Sequence, residues 1–321
     1  MNDAAIRTEG LTRVFTRREG VRRVKVTAVE DLTFTVGRGE SVGYIGANGA
    51  GKSTTIKMLV GILVPTSGAA TTLGFAPTRE RTRLVRHVGV VFGQRSQLWW
   101  DLPVAESFRI LGAVHQLSAA DERTRTAELA DRLELEPFWT TPVRQLSLGQ
   151  RMRAEVAAAL LHRPALVILD EPTIGLDVVS KQRLREFLLA EQAEHGTTLL
   201  LTTHDMGDVQ RLCPRVLVVD HGRLAYDGSL DGLSRLVGAR RVLVVDLDEP
   251  APDLVDVPHT THLGSEANGL RQRLAVDSDA TTVAAVLAAV TDRVGVRDLA
   301  VEEPDVEDVV RRVYSAQRER R

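Results

Sequence analysis

The stretch SVGYIGANGAGKSTTIKMLVGIL, residues 41–63, limits what this chain can fold into more than any other. An apolar run, SVGYIG, leads into the glycine-rich GANGAGKST of residues 46–54, and a helical pattern, TTIKMLVGIL, follows. The glycines permit a tight turn in which consecutive backbone N–H groups surround phosphate oxygens, and the dipole of the helix that opens there adds positive potential. Lys52 supplies a point charge to β and γ phosphates, and Ser53 offers a hydroxyl to Mg²⁺. Asn48, Gly49, Ala50, Gly51 and Thr54 complete the cradle. A glycine loop between a buried strand and a helix belongs to an α/β fold with a parallel sheet.

The rest of the N-terminal two-thirds agrees with that fold class. VGVVFG (residues 88–93), ALVILD (165–170), TLLLTTH (198–204) and RVLVVD (215–220) are apolar on both faces, as strands of a parallel sheet buried between helices must be. Residues 10–36 instead alternate and turn near Glu19 and Gly20, which predicts antiparallel strands. Their hairpin carries Arg17, Arg18, Arg22, Arg23 and Lys25, either a solvated edge that blocks strand-to-strand aggregation or a contact for an acidic partner such as lipid headgroups. Residues 102–144 read as an inserted helical block in which Pro137 ends a helix.

At 321 residues the chain has room for about two domains. The predicted division is a nucleotide-binding domain over 1–228 with its helical insert at about 101–162, a linker over 229–240, and a small α+β domain over 241–321. In that last domain VLVVDL, GLRQRLAV and VRDLAV read as strands, and ATTVAAVLAAVTDR and PDVEDVVRRVYSA as helices.

A net charge of −2 carries no overall basic footprint for nucleic acid. The single cysteine, Cys213, excludes an internal disulfide and reads as a small buried apolar residue, which fits a reducing compartment. The N-terminus lacks the features of a signal peptide, and the longest apolar runs fall far short of the ~20 residues that cross a bilayer. A role at a membrane would therefore need another chain to span it.

A phosphate loop needs an acid at the end of a neighbouring strand, and ALVILDEP provides two. Asp170 would hold Mg²⁺, and Glu171 would take a proton from the attacking water. Just upstream, LSLGQ at residues 146–150 starts a helix, so that the Ser147 hydroxyl, the Gly149 N–H and a helix dipole aim at one anion.

LSLGQ resembles the signature sequence of ATP-binding cassette ATPases. With GANGAGKST, Gln94, ALVILDEP, IGLD at residues 174–177 and His204, it makes six family elements in the family's order. The resemblance covers about the first 228 residues. It implies a head-to-tail dimer in which the signature of one subunit, through Ser147, Gly149 and Gln150, closes on the γ-phosphate of ATP held by the other. It further implies that Gln94 contacts Mg²⁺ and the attacking water, that His204 holds the γ-phosphate, that Asp177 lies at the dimer interface, and that Phe15 stacks on adenine. Leu148 departs from the commonest family form, which has glycine there.

The last 80 or so residues resemble, more loosely, the tail of ATPase subunits of type-2 exporters, including drug-resistance pumps of the daunorubicin type. VVFGQRSQLWWDLPVAESF is similar to a subgroup for multidrug or viologen efflux. The resemblance thus implies an ATP-hydrolysing, energy-coupling subunit on the cytoplasmic face of the membrane. It would be bound to separate membrane-spanning permease subunits and export drug-like or lipid-like cargo. A soluble cassette acting on nucleic acid or ribosomes lacks its usual second cassette or coiled coil here, service to an importer stays open, and a phosphate-loop kinase or helicase would leave LSLGQ and His204 without a use.

Trp99 and Trp100 stand side by side, and one core cannot easily take both rings. Either one faces the groove that receives a helix of the membrane partner, or a turn before Pro103 packs both.

Overall fold

The computed structural model describes residues 4–19, 22–93, 96–203, 205–236, 240–277 and 280–302. The chain forms two compact units, residues 1–229 and 230–321.

The first unit starts with strands β1 (Ala4–Glu19) and β2 (Arg22–Gly37), paired antiparallel over their length. Arg17 and Arg18 stand opposite Val24 and Arg23 at the exposed tip. Strand β3 (Ser41–Gly46) leads into helix α1 (Lys52–Leu59), and β4 (Ser67–Thr72) then pairs with β1. A short helix α2 (Arg81–Leu84) precedes β5 (Val88–Val91). Next come helices α3 (Val104–Val114), α4 (Ala119–Arg132) and α5 (Leu148–Leu160). The unit closes with β6 (Leu166–Asp170), α6 (Val178–His195), β7 (Thr198–Thr202), α7 (Met206–Leu212), β8 (Arg215–Asp220) and β9 (Arg223–Gly228).

Six of these strands make one sheet in the order β5-β6-β7-β3-β8-β9, parallel except for β9 at its edge. Every residue of β7 and all but the last of β6 are buried, as expected of apolar runs covered on both faces. An apolar cluster joins the two sheets. It takes Ile6, Leu11 and Phe34 from the hairpin, Ile56 and Leu59 from α1, and Tyr44, Ile168, Leu200 and Leu217 from the parallel sheet.

Helix α4 ends earlier than Pro137 would require. Its last residue is Arg132, and Glu134, at φ 50°, turns the chain into left-handed backbone that no helix continues through. Strands β4 and β9 were absent from the sequence reading. SGAATT has no apolar run, and its place in the sheet comes from backbone pairing with β1.

In the second unit, Leu230–Leu236, inside the stretch read as a linker, forms helix α8. A four-stranded antiparallel sheet follows, ordered β11 (Thr260–Glu266), β12 (Arg271–Val276), β10 (Arg241–Leu247), β13 (Val296–Glu302). Helix α9 (Val283–Thr291) packs Val286 and Val290 onto a core of Leu243, Val245, Leu274 and Val276. The helix predicted in PDVEDVVRRVYSA lies outside the described residues. Among those described, no helix is long and apolar enough to cross a membrane.

A candidate nucleotide site

In an open parallel sheet, ligands bind beyond the carboxyl ends of the strands, where neighbouring connections diverge. Strand β3 lies between β7 and β8, and its carboxyl end opens into the glycine loop. Gly49 and Gly51 hold φ of 83° and 100°, values a side chain would strain. Gly51 is locked from behind: an added methyl would fall 2.3 Å from the Ala28 carbonyl oxygen. Gly49 has open space on that side, with no atom within 4 Å. The loop is thus packed against the hairpin at one glycine and clear for an approaching group at another. Asn48, Gly49 and Ser53 are exposed, Gly51 and Thr54 half-buried and Ala50 buried.

Lys52 opens α1 and is buried, its Nζ donating to the carbonyl oxygens of Gly46 at 2.5 Å and Ala47 at 3.2 Å. Burial holds the ammonium below the usual lysine range, while the negative charges of Glu171 and then Asp170 draw it back up. The lysine is therefore a desolvated cation facing two carboxylates, coiled back on its own loop.

The carboxylates stand at the end of β6. Asp170 accepts a hydrogen bond on Oδ1 from the hydroxyl of Thr202 at the end of β7. Glu171 has φ 57°, an uncommon conformation for a residue with a side chain, and its N–H donates to the Thr202 carbonyl at 2.9 Å. Gly93 lies alongside, since a methyl there would meet the Asp170 carbonyl oxygen at 3.2 Å and Glu171 Cβ at 3.8 Å. Its neighbour Gln94, and His204, lie outside the described residues. Asp205 and Asp208, which follow in the sequence, are tied to the elements before them. Asp205 accepts from Lys181 at 2.5 Å, and the buried Asp208 accepts from Arg185 Nε at 2.7 Å and from Thr173 Oγ1 at 2.5 Å.

The residue types suit a Mg²⁺–triphosphate. Ser53, Asp170 and the neighbouring carboxylate are hard oxygen donors, Lys52 is a buried cation, and Gly49 is exposed with open space where a side chain would stand.

Ser147, Gly149 and Gln150 form a second constellation. Ser147 caps α5 with its Oγ accepting from the Gln150 N–H at 3.2 Å, while Gln150 Oε1 accepts from the Ser147 N–H at 2.9 Å. This reciprocal capping fixes the helix start and leaves the serine hydroxyl proton for an outside acceptor. Leu148 takes the first helical position and is 42% exposed. Gly149 packs against the Gly175 carbonyl oxygen, which a methyl would approach to 2.9 Å. Asp177 caps α6 with Oδ1 accepting from the Ser180 N–H at 2.8 Å and Oδ2 from its hydroxyl at 2.9 Å, bonds that hold its carboxyl below the usual range.

Phe15 is half-buried opposite Val26, with the Arg13 guanidinium 4.7 Å from its ring centre. Trp99 and Trp100 overturn the reading that packs both of them. Neither ring is packed away: they are 39% and 51% exposed, in a stretch that is neither helix nor strand. Cys213 is buried as read, and burial pushes its thiol up to about 12. Sequence reasoning passed over Glu155, a carboxylate only 4% exposed in the middle of α5. A single acid inside the apolar run AEVAAALL was the signal available.

Comparison with known proteins gives one family. Residues 29–174 match the profile described as ABC transporter. The chain is 33% identical over 217 residues to the ABC transporter ATP-binding protein NatA of Bacillus subtilis, spanning 68% of this chain and 88% of that one. It is 36% identical over 235 residues to the daunorubicin/doxorubicin resistance ATP-binding protein DrrA of Streptomyces peucetius, spanning 73% of this chain and 68% of the other. Over 236 residues it is 38% identical to the Nod factor export ATP-binding protein I of Ralstonia nicotianae, spanning 73% of each.

Among solved structures, an ATP-binding subunit of an ABC transporter superposes with a TM-score of 0.65 at 29% identity, covering 73% of this chain and 94% of that one. A dimeric post-hydrolysis ATP-binding cassette bound to ADP and Pi superposes at 0.63 and 25% identity, covering 70% and 98%. The buried lysine on its glycine loop, the acid pair across from it and these likenesses lead to one conclusion: the chain belongs to the ABC transporter family, as an ATP-hydrolysing subunit.

Proposed function

We propose that this subunit energises export from the cytoplasmic face of a membrane, working as a head-to-tail dimer with a second copy and docked on separate membrane-spanning subunits. The observation that carries the site assignment is the convergence of Lys52, Asp170 and Glu171 beyond the carboxyl ends of β3 and β6. The direction of transport rests on the relatives, whose names specify Nod factor export and daunorubicin/doxorubicin resistance.

The placement of Lys52, Asp170 and Glu171 supports the first of these roles, and the family resemblance supplies the rest. The backbone of residues 48–54 and the Lys52 ammonium bind the β and γ phosphates of ATP, and Phe15 supports the adenine ring. Glu171 accepts the proton of the attacking water as the water oxygen bonds to Pγ and the bond from Pγ to the ADP oxygen breaks. Gln94 and His204 orient that water and the γ-phosphate. Ser53, Asp170 and Gln94 would hold Mg²⁺, which would supply positive charge to offset that of the phosphates. Ser147, Gly149 and Gln150 of the facing subunit close on the γ-phosphate, with Asp177 at the same interface. Because the γ-phosphate is held from both sides, its loss opens the dimer.

Glu171→Gln tests the reading directly. The variant binds ATP with unchanged affinity, its steady-state turnover falls by about 10²-fold or more, and it accumulates as an ATP-bound dimer in size-exclusion chromatography. Unchanged turnover removes Glu171 as the base. Co-purification from membranes with a polytopic partner, followed by transport into inverted vesicles, tests export itself.

A further inference from the structure

Residues 96–101 have no helix or strand of their own, yet they are fastened to α5 at Arg151 and Glu155. Ser96 Oγ bonds to Glu155 Oε1, the Gln97 N–H donates to Glu155 Oε2 at 3.1 Å, and Gln97 Nε2 donates to the Glu155 carbonyl oxygen at 2.8 Å. Nearer the start of α5, the Arg151 guanidinium lies over the Trp100 ring at 5.7 Å. On the other side of the signature, the Arg144 N–H donates to the Trp100 carbonyl at 3.0 Å, and its side chain pairs with Asp101 at 2.8 Å.

Glu155 is the unusual member. It is buried among Ala154, Val156, Ala157 and Ala158, and a carboxylate in such surroundings costs several kcal/mol unless donors meet it. Burial pushes this carboxyl up and the hydrogen bonds of Ser96 and Gln97 draw it back down, so a carboxyl group in the helix core has its bonding partners in a loop. Glu155 lies seven positions along α5 from Leu148, about two turns, and α5 is capped by Ser147. Ser96 lies two positions after Gln94.

We propose that Glu155 is a positioning residue for ATP hydrolysis: it fixes Ser96 and Gln97, which follow Gln94 in the sequence, onto the signature helix that Ser147 caps, and so anchors the chain leading from Gln94 to that helix. The inference rests on the reading of Gln94 and Ser147 as nucleotide contacts given above. On that reading Gln94 serves its own subunit's nucleotide and Ser147 its neighbour's, and the clamp couples the two contacts through residues 96 and 97.

The test uses the purified full-length chain and MgATP. In Glu155→Ala, kcat falls about tenfold or more while KM for ATP stays within about twofold, and Glu155→Gln, which keeps one acceptor oxygen, recovers part of the loss. Ser96→Ala lowers kcat in the same direction and keeps the test available if Glu155→Ala does not fold. The double variant Ser96→Ala/Glu155→Gln loses less than the product of the two single effects, because both remove one contact. Unchanged kcat in folded Glu155→Ala overturns the proposal, as does a loss no larger than the fall in folded fraction measured by circular dichroism. Gln94→Ala and Ser147→Ala separate the two levels. If both lower kcat and Glu155→Ala does not, the clamp alone is wrong; if neither lowers kcat, the reading of those residues falls and the clamp with it.

Discussion

The side chain of Leu148 lies on the backbone of Gly175: a methyl added to Gly175 would stand 2.6 Å from the leucine Cγ and Cδ2. The residue that departs from the common signature is therefore accommodated by a glycine in the loop before α6. Gly175 also holds φ 75°, so alanine there meets both a collision and a strained backbone. Gly175→Ala is expected to lower unfolding free energy by about 1–3 kcal/mol in urea titration. Leu148→Ala added to it returns part of that loss by clearing the collision, leaving the backbone strain. A double variant as unstable as the sum of the two singles refutes the contact.

Arg125 of α4 is 2% exposed and reaches Glu191 of α6 at 2.7 Å, Glu128 at 2.9 Å, and the Leu160 carbonyl of α5 at 3.4 Å. It ties the inserted helices to the sheet-flanking helix α6. Removing one member of a buried pair strands the other charge, so Glu191→Ala should cost about 3–5 kcal/mol. Arg125→Met/Glu191→Leu, which removes both charges and keeps volume, should recover most of it in thermal melts. Equal losses in the single and double variants would show that packing, not charge, dominates.

His162 stacks on His115 with ring centres 3.8 Å apart. Burial first, and the neighbouring His115 charge second, push His162 down to about 3. The fold keeps this imidazole neutral, so its contribution is complete above the unfolded value near 6.5 and is lost as pH falls from there toward 3. On going from pH 7 to pH 5 this group alone should remove on the order of 1–2 kcal/mol of stability. His162→Phe keeps a ring in the stack and should flatten that part of the pH–stability curve in chemical denaturation. An unchanged slope between pH 7 and pH 5 would remove His162 as the acid-sensitive group.

The Phe15 ring has Arg13 on it and stays half-buried, which leaves part of it for a base. Loss of a stacking partner costs about 1–3 kcal/mol, so Phe15→Ala should weaken ATP affinity by roughly 5- to 150-fold in calorimetric titration. The kcat at saturating ATP should change little, since the ring is remote from Pγ in chemical role. Unaltered affinity would place the adenine elsewhere.

The chemistry of this chain was legible because its phosphate-binding parts are short and contiguous. Residues 46–54 state their backbone conformation through glycine and their charge through Lys52, with no tertiary information needed. Strands β6, β7 and β8 were legible because burial on both faces leaves an unbroken apolar run. Strand β4 was not, because SGAATT is recruited by the backbone of β1 rather than by its own side chains. The end of α4 was misread because Glu134, not Pro137, turns the chain. The tryptophan pair invited a packing argument that assumed regular structure, and the segment has none. The role proposed for Glu155 depends on a loop 58 residues earlier in the chain, a distance over which residue spacing carries no signal.

Helix α6 is 18 residues long, about 27 Å from end to end. Asp177 caps it, and its first two turns carry Lys181 and Arg185, which grip Asp205 and Asp208. Its inward face, Leu184, Phe187 and Leu188, is buried. The loop at residues 174–177 and the carboxylates of Asp205 and Asp208 therefore hang from one rigid rod. In mechanical language they are two loads on a single lever whose fulcrum is that packed face, and neither can be displaced without moving the other.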